Sequence, residues 1–467
     1  MSALENVLTR AVARHLGRAL PIRETSFLSS DPVGAIGVAT IKIVTDEQVQ
    51  AIAYGRLDGS PEVIVRLNPI GRDVGDLLPF ANFLCAAADD AMARGGEWRI
   101  WIPHGGTLET LDVLGHRYWR NQTASAEIVR MGMICRTIGH EATIPGQQLV
   151  ANASEVLRGH ITTGQTPIED GHLGALLAWL EPTCADPLTE GRDRIRLPAS
   201  GILPNTPDQP HDDRVDHLRK IAKNSTGVAR ANAQREIERL LRQAVLREWR
   251  LLVEARAAFL ALLLPTPGLD DLSKLSRERV LNGLTNGHFP ARKADRIAVQ
   301  LAQMEAGQQL ADQAALENDP SLRERARRAG GAVAGRIASV DQPNAKRHPC
   351  NIEVDTTQAV VRPRRDDKIK LVGTNVTGII RHIDLGPQGG TRLGIEIETG
   401  VRSSAVLSVG VPVEVIDRGF GYAPIKTFRL VSEREPWQFY AEHPPALAAT
   451  VAPPGSALAM ARSRRRP

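Results

Sequence analysis

The residues whose type and spacing most clearly fit a chemistry are arginines, and the chemistry is recognition of phosphate. Arg235, Arg239, Arg242, Arg250 and Arg256 fall on one face of a helix when the chain is wound at about 100° per residue. A guanidinium is planar and donates two hydrogen bonds at once, which suits a phosphate oxygen pair. A second basic set, Lys346, Arg347, Arg362, Arg364, Arg365 and Arg392, falls in or beside connections of a β-rich C-terminal region. Basic loops on small barrels grip phosphates through non-specific charge that weakens with salt. These two sets are the expected nucleic-acid-binding residues. No catalytic residue, metal or cofactor is expected.

Charge is spread unevenly enough to support that expectation. Residues 1–198 hold 23 Asp+Glu against 18 Lys+Arg, a net charge of −5, so the rest carries +10 of the chain's overall +5. An acidic half suits a protein partner and a basic half suits a polyanion. Solubility alone would explain the same imbalance. The four cysteines (Cys85, Cys135, Cys184, Cys350) lie far apart with no Cys-x-x-Cys pair, so a reducing cytoplasm is expected. No uncharged apolar run reaches the roughly 18 residues a membrane span needs, and no secretory signal is read at the N-terminus. No membrane partner is expected.

The element that carries the first arginine set reads as one helix over Ala229–Leu264, about 54 Å long at 1.5 Å per residue. Ile237, Leu241, Ala244, Leu252, Ala255 and Phe259 form its apolar face, which must pack on a neighbour. The arginines then face outward. A solvated helix shows the same pattern, because Glu238 can pair with Arg242 at i, i+4. Further helices are expected at Asp271–Gly283, Ala291–Asn318 and Ser321–Ala329.

The second set sits in a stretch that repeats itself. Val333-Ala-Gly335 and Ile352-Glu353-Val354-Asp355-Thr356 match Val376-Thr-Gly378 and Ile395-Glu396-Ile397-Glu398-Thr399 at a constant offset of 43. Asp367–Val372 matches Gly410–Val415 in the same register. A fixed period marks a duplicated unit. The short alternating strands, broken by Gly, Pro and Asp, predict a small antiparallel barrel. No Phe, Tyr or Trp occurs between Phe289 and Phe420. Stacking platforms for single-stranded bases are therefore missing there, and duplex is the expected form, held by its backbone.

Residues 1–120 read as helix, three strands, helix, strand, with the strands near Ala35–Val44, Val49–Arg56, Glu62–Leu67 and Trp98–Ile102. That order resembles the core of the restriction-endonuclease-like (PD-(D/E)xK) nucleases. The resemblance implies an Asp and a Glu-x-Lys holding a divalent metal that activates water. Asp58 and Glu62 stand in those places, but position 64 is Ile rather than Lys. Residues 121–198 look helical. Thr166, Pro167, Glu169 and Asp170 predict a helix start for Ile168–Leu180. His160, Asp170 and His172 lack the i, i+4 spacing of a helical metal pair, which favours capping and packing. His211-Asp212-Asp213 with Asp216-His217 suits the start of a helix next to a linker.

No phosphate-binding loop, dinucleotide fingerprint, His-Glu-x-x-His or Gly-x-Ser-x-Gly motif occurs. The expected fold is multidomain α+β, with an N-terminal α/β domain (1–120) and a helical subdomain (121–198). A Pro-rich linker (199–213) leads to a basic helical domain with one long helix (214–330). A duplicated small β-barrel-like module follows (331–434; repeats about 333–372 and 376–415), then a disordered basic tail (435–467). The expected function is non-catalytic nucleic-acid binding or complex assembly, accessory to a partner ATPase or nuclease. The alternatives are a metal-dependent nuclease with a degenerate N-terminal core and a purely structural scaffold.

Overall fold

Alternating side chains set the central sheet. In the computed structural model, Ile36 and Val38 face one core while Ala39 and Ile41 face the other. Ile100 and Ile102 likewise oppose Trp101. Both faces are covered, so these strands are buried almost throughout. The structure describes residues 3–22, 26–42, 48–68, 74–195, 210–262, 264, 266, 269–286, 294–341, 351–386, 389–400 and 407–418. It is mixed α+β, about 51% helix and 21% strand, with a six-stranded sheet at the C-terminus. Two compact units are present, Met1–Phe289 with Met304–Tyr422, and Pro290–Gln303 with Ala423–Pro467. The central sheet, both of its cores and the C-terminal strands lie in the first.

The chain begins with α1 (Ala3–Leu16), β1 (Leu20–Pro21), β2 (Ile36–Lys42), β3 (Val49–Arg56) and β4 (Glu62–Val65). Next come α2 (Leu78–Ala93), β5 (Ile100–Ile102), α3 (Gly105–Tyr118), α4 (Ala126–Ala142) and β6 (Val150–Asn152). The sheet order is β4-β3-β2-β5-β6, with β2 parallel to β5 and β5 parallel to β6. Helices α2, α3 and α4 cover one face through Phe80, Leu84, Leu111, Met131 and Ile138.

The elements that follow are α5 (Ala153–His160), β7 (Ile161–Thr162), α6 (Leu173–Ala178), α7 (Pro187–Ile195), α8 (Pro210–Asn224) and α9 (Gly227–Ala261), and the other face is covered from among them. Of these, α5, α6, α8 and α9 supply Val156, Leu176, Val215, Ile237 and Leu252 to that core. Segments expected as separate domains thus share one sheet: β6 forms its edge and α9 lies across it. Trp249 of α9 docks over Gly37, where a Cβ would stand 2.9 Å from the indole.

The helix expected over Ile168–Leu180 is broken. Thr166 and Glu169 do form a reciprocal capping box, at 2.7 and 3.3 Å. It opens only a single 3-10 turn, Glu169–Gly171. The chain then extends at His172, whose Nδ1 accepts the Ala175 N–H and starts α6 afresh.

Beyond α9 lie α10 (Leu269–Asn286), α11 (Ala294–Asn318) and α12 (Pro320–Ala329), then β8 (Ala332–Asp341), β9 (Asn351–Thr356), β10 (Lys368–Leu371), β11 (Thr377–Leu385), β12 (Thr391–Thr399) and β13 (Pro412–Asp417). These six strands close one barrel in the order β10-β11-β12-β9-β8-β13. The expectation of a small barrel for each repeat is corrected: three strands from each stretch build one barrel together. Ile352 pairs with Ile395, 43 positions on, at the antiparallel β9–β12 seam. The third strand of each stretch crosses over, so β10 pairs with β11 and β13 with β8. Gly335 and Gly378 admit the neighbouring strand closely, because a Cβ on either would stand 2.5 Å from a carbonyl oxygen. Most of the expected linker 199–213 and all of the tail 435–467 lie outside the described residues.

Candidate nucleic-acid interface

The long helix α9 runs for 35 residues, about 53 Å. Its buried side carries Ala233, Ile237, Leu241, Ala244, Trp249 and Phe259. Packing of that side fixes the opposite face in solvent, and Arg235, Arg239, Arg242 and Arg250 are all exposed there. Their partners are local. Arg239 donates to both carboxylate oxygens of Glu236 at 2.7 and 2.8 Å and to Gln243 at 2.9 Å. Arg214 of α8 shares the same Glu236, at 2.5 Å. The two guanidiniums hold the Glu236 carboxyl below the usual range, chiefly through the Arg239 hydrogen bond. Arg242 pairs with Glu238 at 3.2 Å. Arg235 donates to Asn232 and Arg250 to the Leu246 carbonyl. Among the described residues neither has a carboxylate partner. The exposed face therefore keeps an excess of positive charge.

Arg256 departs from the expected stripe. Its Nε binds Asp31 at 2.6 Å and the side chain is half-buried. Asp31 also receives the Trp101 indole N–H at 2.9 Å and lies 3.4 Å from Arg99. Arg256 thus locks the C-terminal part of α9 to the sheet. Burial pushes the Arg99 guanidinium down to about 10, with Asp31 pulling the other way.

The barrel's basic residues divide in the same way. Arg362, Arg364 and Arg365 lie exposed on the connection from β9 to β10. That connection is pinned by Arg362 N–H to Gly330 O at 3.0 Å and by Arg364 N–H to the Asp367 carboxylate at 2.6 Å. Asp366, at φ 70°, makes the turn and reaches Arg381 at 3.1 Å. Arg392 is otherwise engaged: Asp355 fills its fork at 2.6 and 2.8 Å, and Glu353 lies 3.4 Å away. That hydrogen bond keeps the Asp355 carboxyl low. Lys346 and Arg347 lie outside the described residues. No ion pair or hydrogen bond among the described residues joins Arg235, Arg239, Arg242 or Arg250 to the barrel loop.

The acids that carry the nuclease resemblance lie at the β3–β4 turn. Asp58 and Glu62 are exposed, Glu62 accepts the Tyr54 hydroxyl at 2.8 Å, and Ile64 packs against the core. Among the described residues no group of three or more His, Cys, Asp or Glu is placed to hold a metal ion. His160, Asp170 and His172 serve separate local roles. His160 bonds Ser26 and stacks on Phe27; Asp170 is held by Arg10, Thr163 and Gln165; His172 caps α6.

A buried acid–base pair was not foreseen from the sequence. His104 caps α3 through Nδ1, which accepts the Gly106 N–H at 3.1 Å. Its Nε2 therefore carries the proton and lies 3.2 Å from the Glu248 carboxylate of α9, out of line for a hydrogen bond. Glu248 is fully buried. The signal was present, because Glu248 falls four residues from both Ala244 and Leu252, in the middle of the apolar stripe. A lone acid there needs a partner. Neighbouring His172 is pushed down to about 4, first by burial and then by His104.

No protein-family model matches this chain, and neither a curated protein nor a solved structure matches it. Among the described residues no helix is long and apolar enough to cross a membrane.

Proposed function

We propose that this chain is a non-catalytic nucleic-acid-binding or complex-assembly protein of the cytoplasm, holding a duplex by its phosphate backbone as an accessory to a partner ATPase or nuclease. The observation that carries this reading is the outer face of α9. There Arg235 and Arg250 have no carboxylate partner among the described residues, and Arg214 and Arg239 share one carboxylate. From Arg235 to Arg250 the helix rises about 22 Å, roughly six base-pair steps at 3.4 Å per strand. Arg239, Arg242 and the loop residues Arg362, Arg364 and Arg365 extend the set. Arg256 and Arg392 leave it, since internal carboxylates occupy them. The acidic N-terminal half is the side offered to a protein partner. The barrel, in this reading a duplicated unit closed on itself, serves assembly more than phosphate binding.

The test is fluorescence anisotropy of a labelled DNA duplex titrated with the full chain at stepped salt concentrations. Affinity should fall steeply as salt rises, because each neutralised phosphate releases counterions. Affinity that does not change with salt would overturn the proposal. Cleavage of the duplex that requires a divalent metal would instead favour the nuclease alternative.

A further inference from the structure

Among the described residues the barrel closes along only part of β11. Its first half pairs with β10 on one side and β12 on the other, and the last backbone pairing on the β10 side is Ile380 with Asp366 and Asp367. From Arg381 to Leu385 the strand pairs with β12 alone among the described residues. A bulge between Ile380 and His382 starts this overhang, as bulges do where pairing ends. Ile383 sits opposite the inward-facing Leu393 and so carries the barrel's apolar side past the rim. Leu385 beyond it is 88% exposed. An open edge with exposed apolar residues is a template for another strand.

The geometry points to a second copy of this chain as the occupant, paired antiparallel through the same edge about Ile383. That register sets Ile383 against its counterpart and continues the apolar side of both barrels across the two-fold. It also sets His382 opposite the partner's Asp384, twice by symmetry, so each edge offers the other a hydrogen-bond donor and an acceptor. Within one chain His382 already lies 3.6 Å from Asp384 and 3.8 Å from Glu353, with Arg392 across the strand from Asp384. The paired edges would therefore alternate histidine and carboxylate in a four-group row. Antiparallel pairing about a two-fold is also how the barrel joins its own halves at Ile352 and Ile395. Five residues bury less than a standard interface of roughly 1,600 Å², so the dimer is weak and depends on concentration. It is independent of nucleic-acid binding.

Sedimentation velocity on the full chain without nucleic acid, from micromolar to millimolar, tests this. The wild type should move from monomer to dimer. Asp384→Lys should weaken the dimer roughly tenfold, because two cross-strand histidine–carboxylate contacts are lost. His382→Asp with Asp384→Lys in one chain should restore it, since two carboxylate–lysine pairs then stand in place of the lost contacts. Circular dichroism checks that each variant is folded, and Leu385→Lys, at an exposed position, supplies a second weakening variant. A chain that stays monomeric at the highest concentration overturns the inference. So does a dimer that D384K and L385K leave unchanged, or one that the double exchange fails to rescue.

Discussion

The helical body and the barrel hold their arginines in opposite ways. In the body Arg99 and Arg279 are buried. Arg279 from α10 grips Glu141 of α4 through three hydrogen bonds of 3.1–3.2 Å, with Ser276 adding a fourth at 2.9 Å. Burial raises the Glu141 carboxyl, while Arg279 and Ser276 pull it back. On the barrel the arginines lie outside. Arg336, Asp355, Arg392 and Asp384 stand opposite one another across β8, β9, β12 and β11, so charge alternates over the sheet surface. The same residue type is thus a core fastener at Arg99 and Arg279 and a surface group on the barrel, as it is on the outer face of α9. Solvent decides the difference, because a buried charge stripped of its partner cannot fall back on water.

The largest expected effect follows from that contrast. Glu141→Ala should cost about 3–5 kcal/mol of stability, since it strands the Arg279 guanidinium in the interior. Urea unfolding measures it, and a barely shifted midpoint would erase the distinction between the regions.

A second test uses pH. His172 is held neutral in the fold at about 4, against an ordinary 6.5. The unfolded chain therefore binds a proton that the folded chain refuses, so stability is full above about 6.5 and declines as pH falls toward about 4. The whole loss amounts to a few kcal/mol at most. His172→Asn keeps a helix cap and should flatten that part of the stability profile. An unchanged profile would place the titrating group elsewhere.

A smaller effect is expected on the barrel. Asp355→Asn should leave the unfolding midpoint almost in place, because water reaches both Asp355 and Arg392. A loss as large as that of Glu141→Ala would show that the ladder is structural after all.

What could be read from the sequence depended on how far apart the partners lie. The two faces of α9 follow from a 3.6-residue period, and the barrel strands follow from a period of 2 with an offset of 43, all of which are local patterns. The fates of Arg256 and Arg392 are not local. Their carboxylates, Asp31 and Asp355, lie 225 and 37 positions away, so no helical projection separates them from their exposed neighbours. The short turn at Thr166 shows a third case. The capping signal was correct, but the broken helix after it was set by His172 and by tertiary packing. Glu248 was legible in principle, as an acid in an apolar stripe, whereas its partner His104 was not.

Charge recognition by α9 is tested most directly by replacing Arg235, Arg239, Arg242 and Arg250 together with Gln and measuring duplex affinity against salt. These side chains are exposed, so the unfolding midpoint should hold. The log–log salt slope should become shallower by about 0.9 for each phosphate left without its arginine, with weaker binding at every salt concentration. An unchanged slope and affinity in a folded variant would contradict the proposal that this helix meets the phosphate backbone.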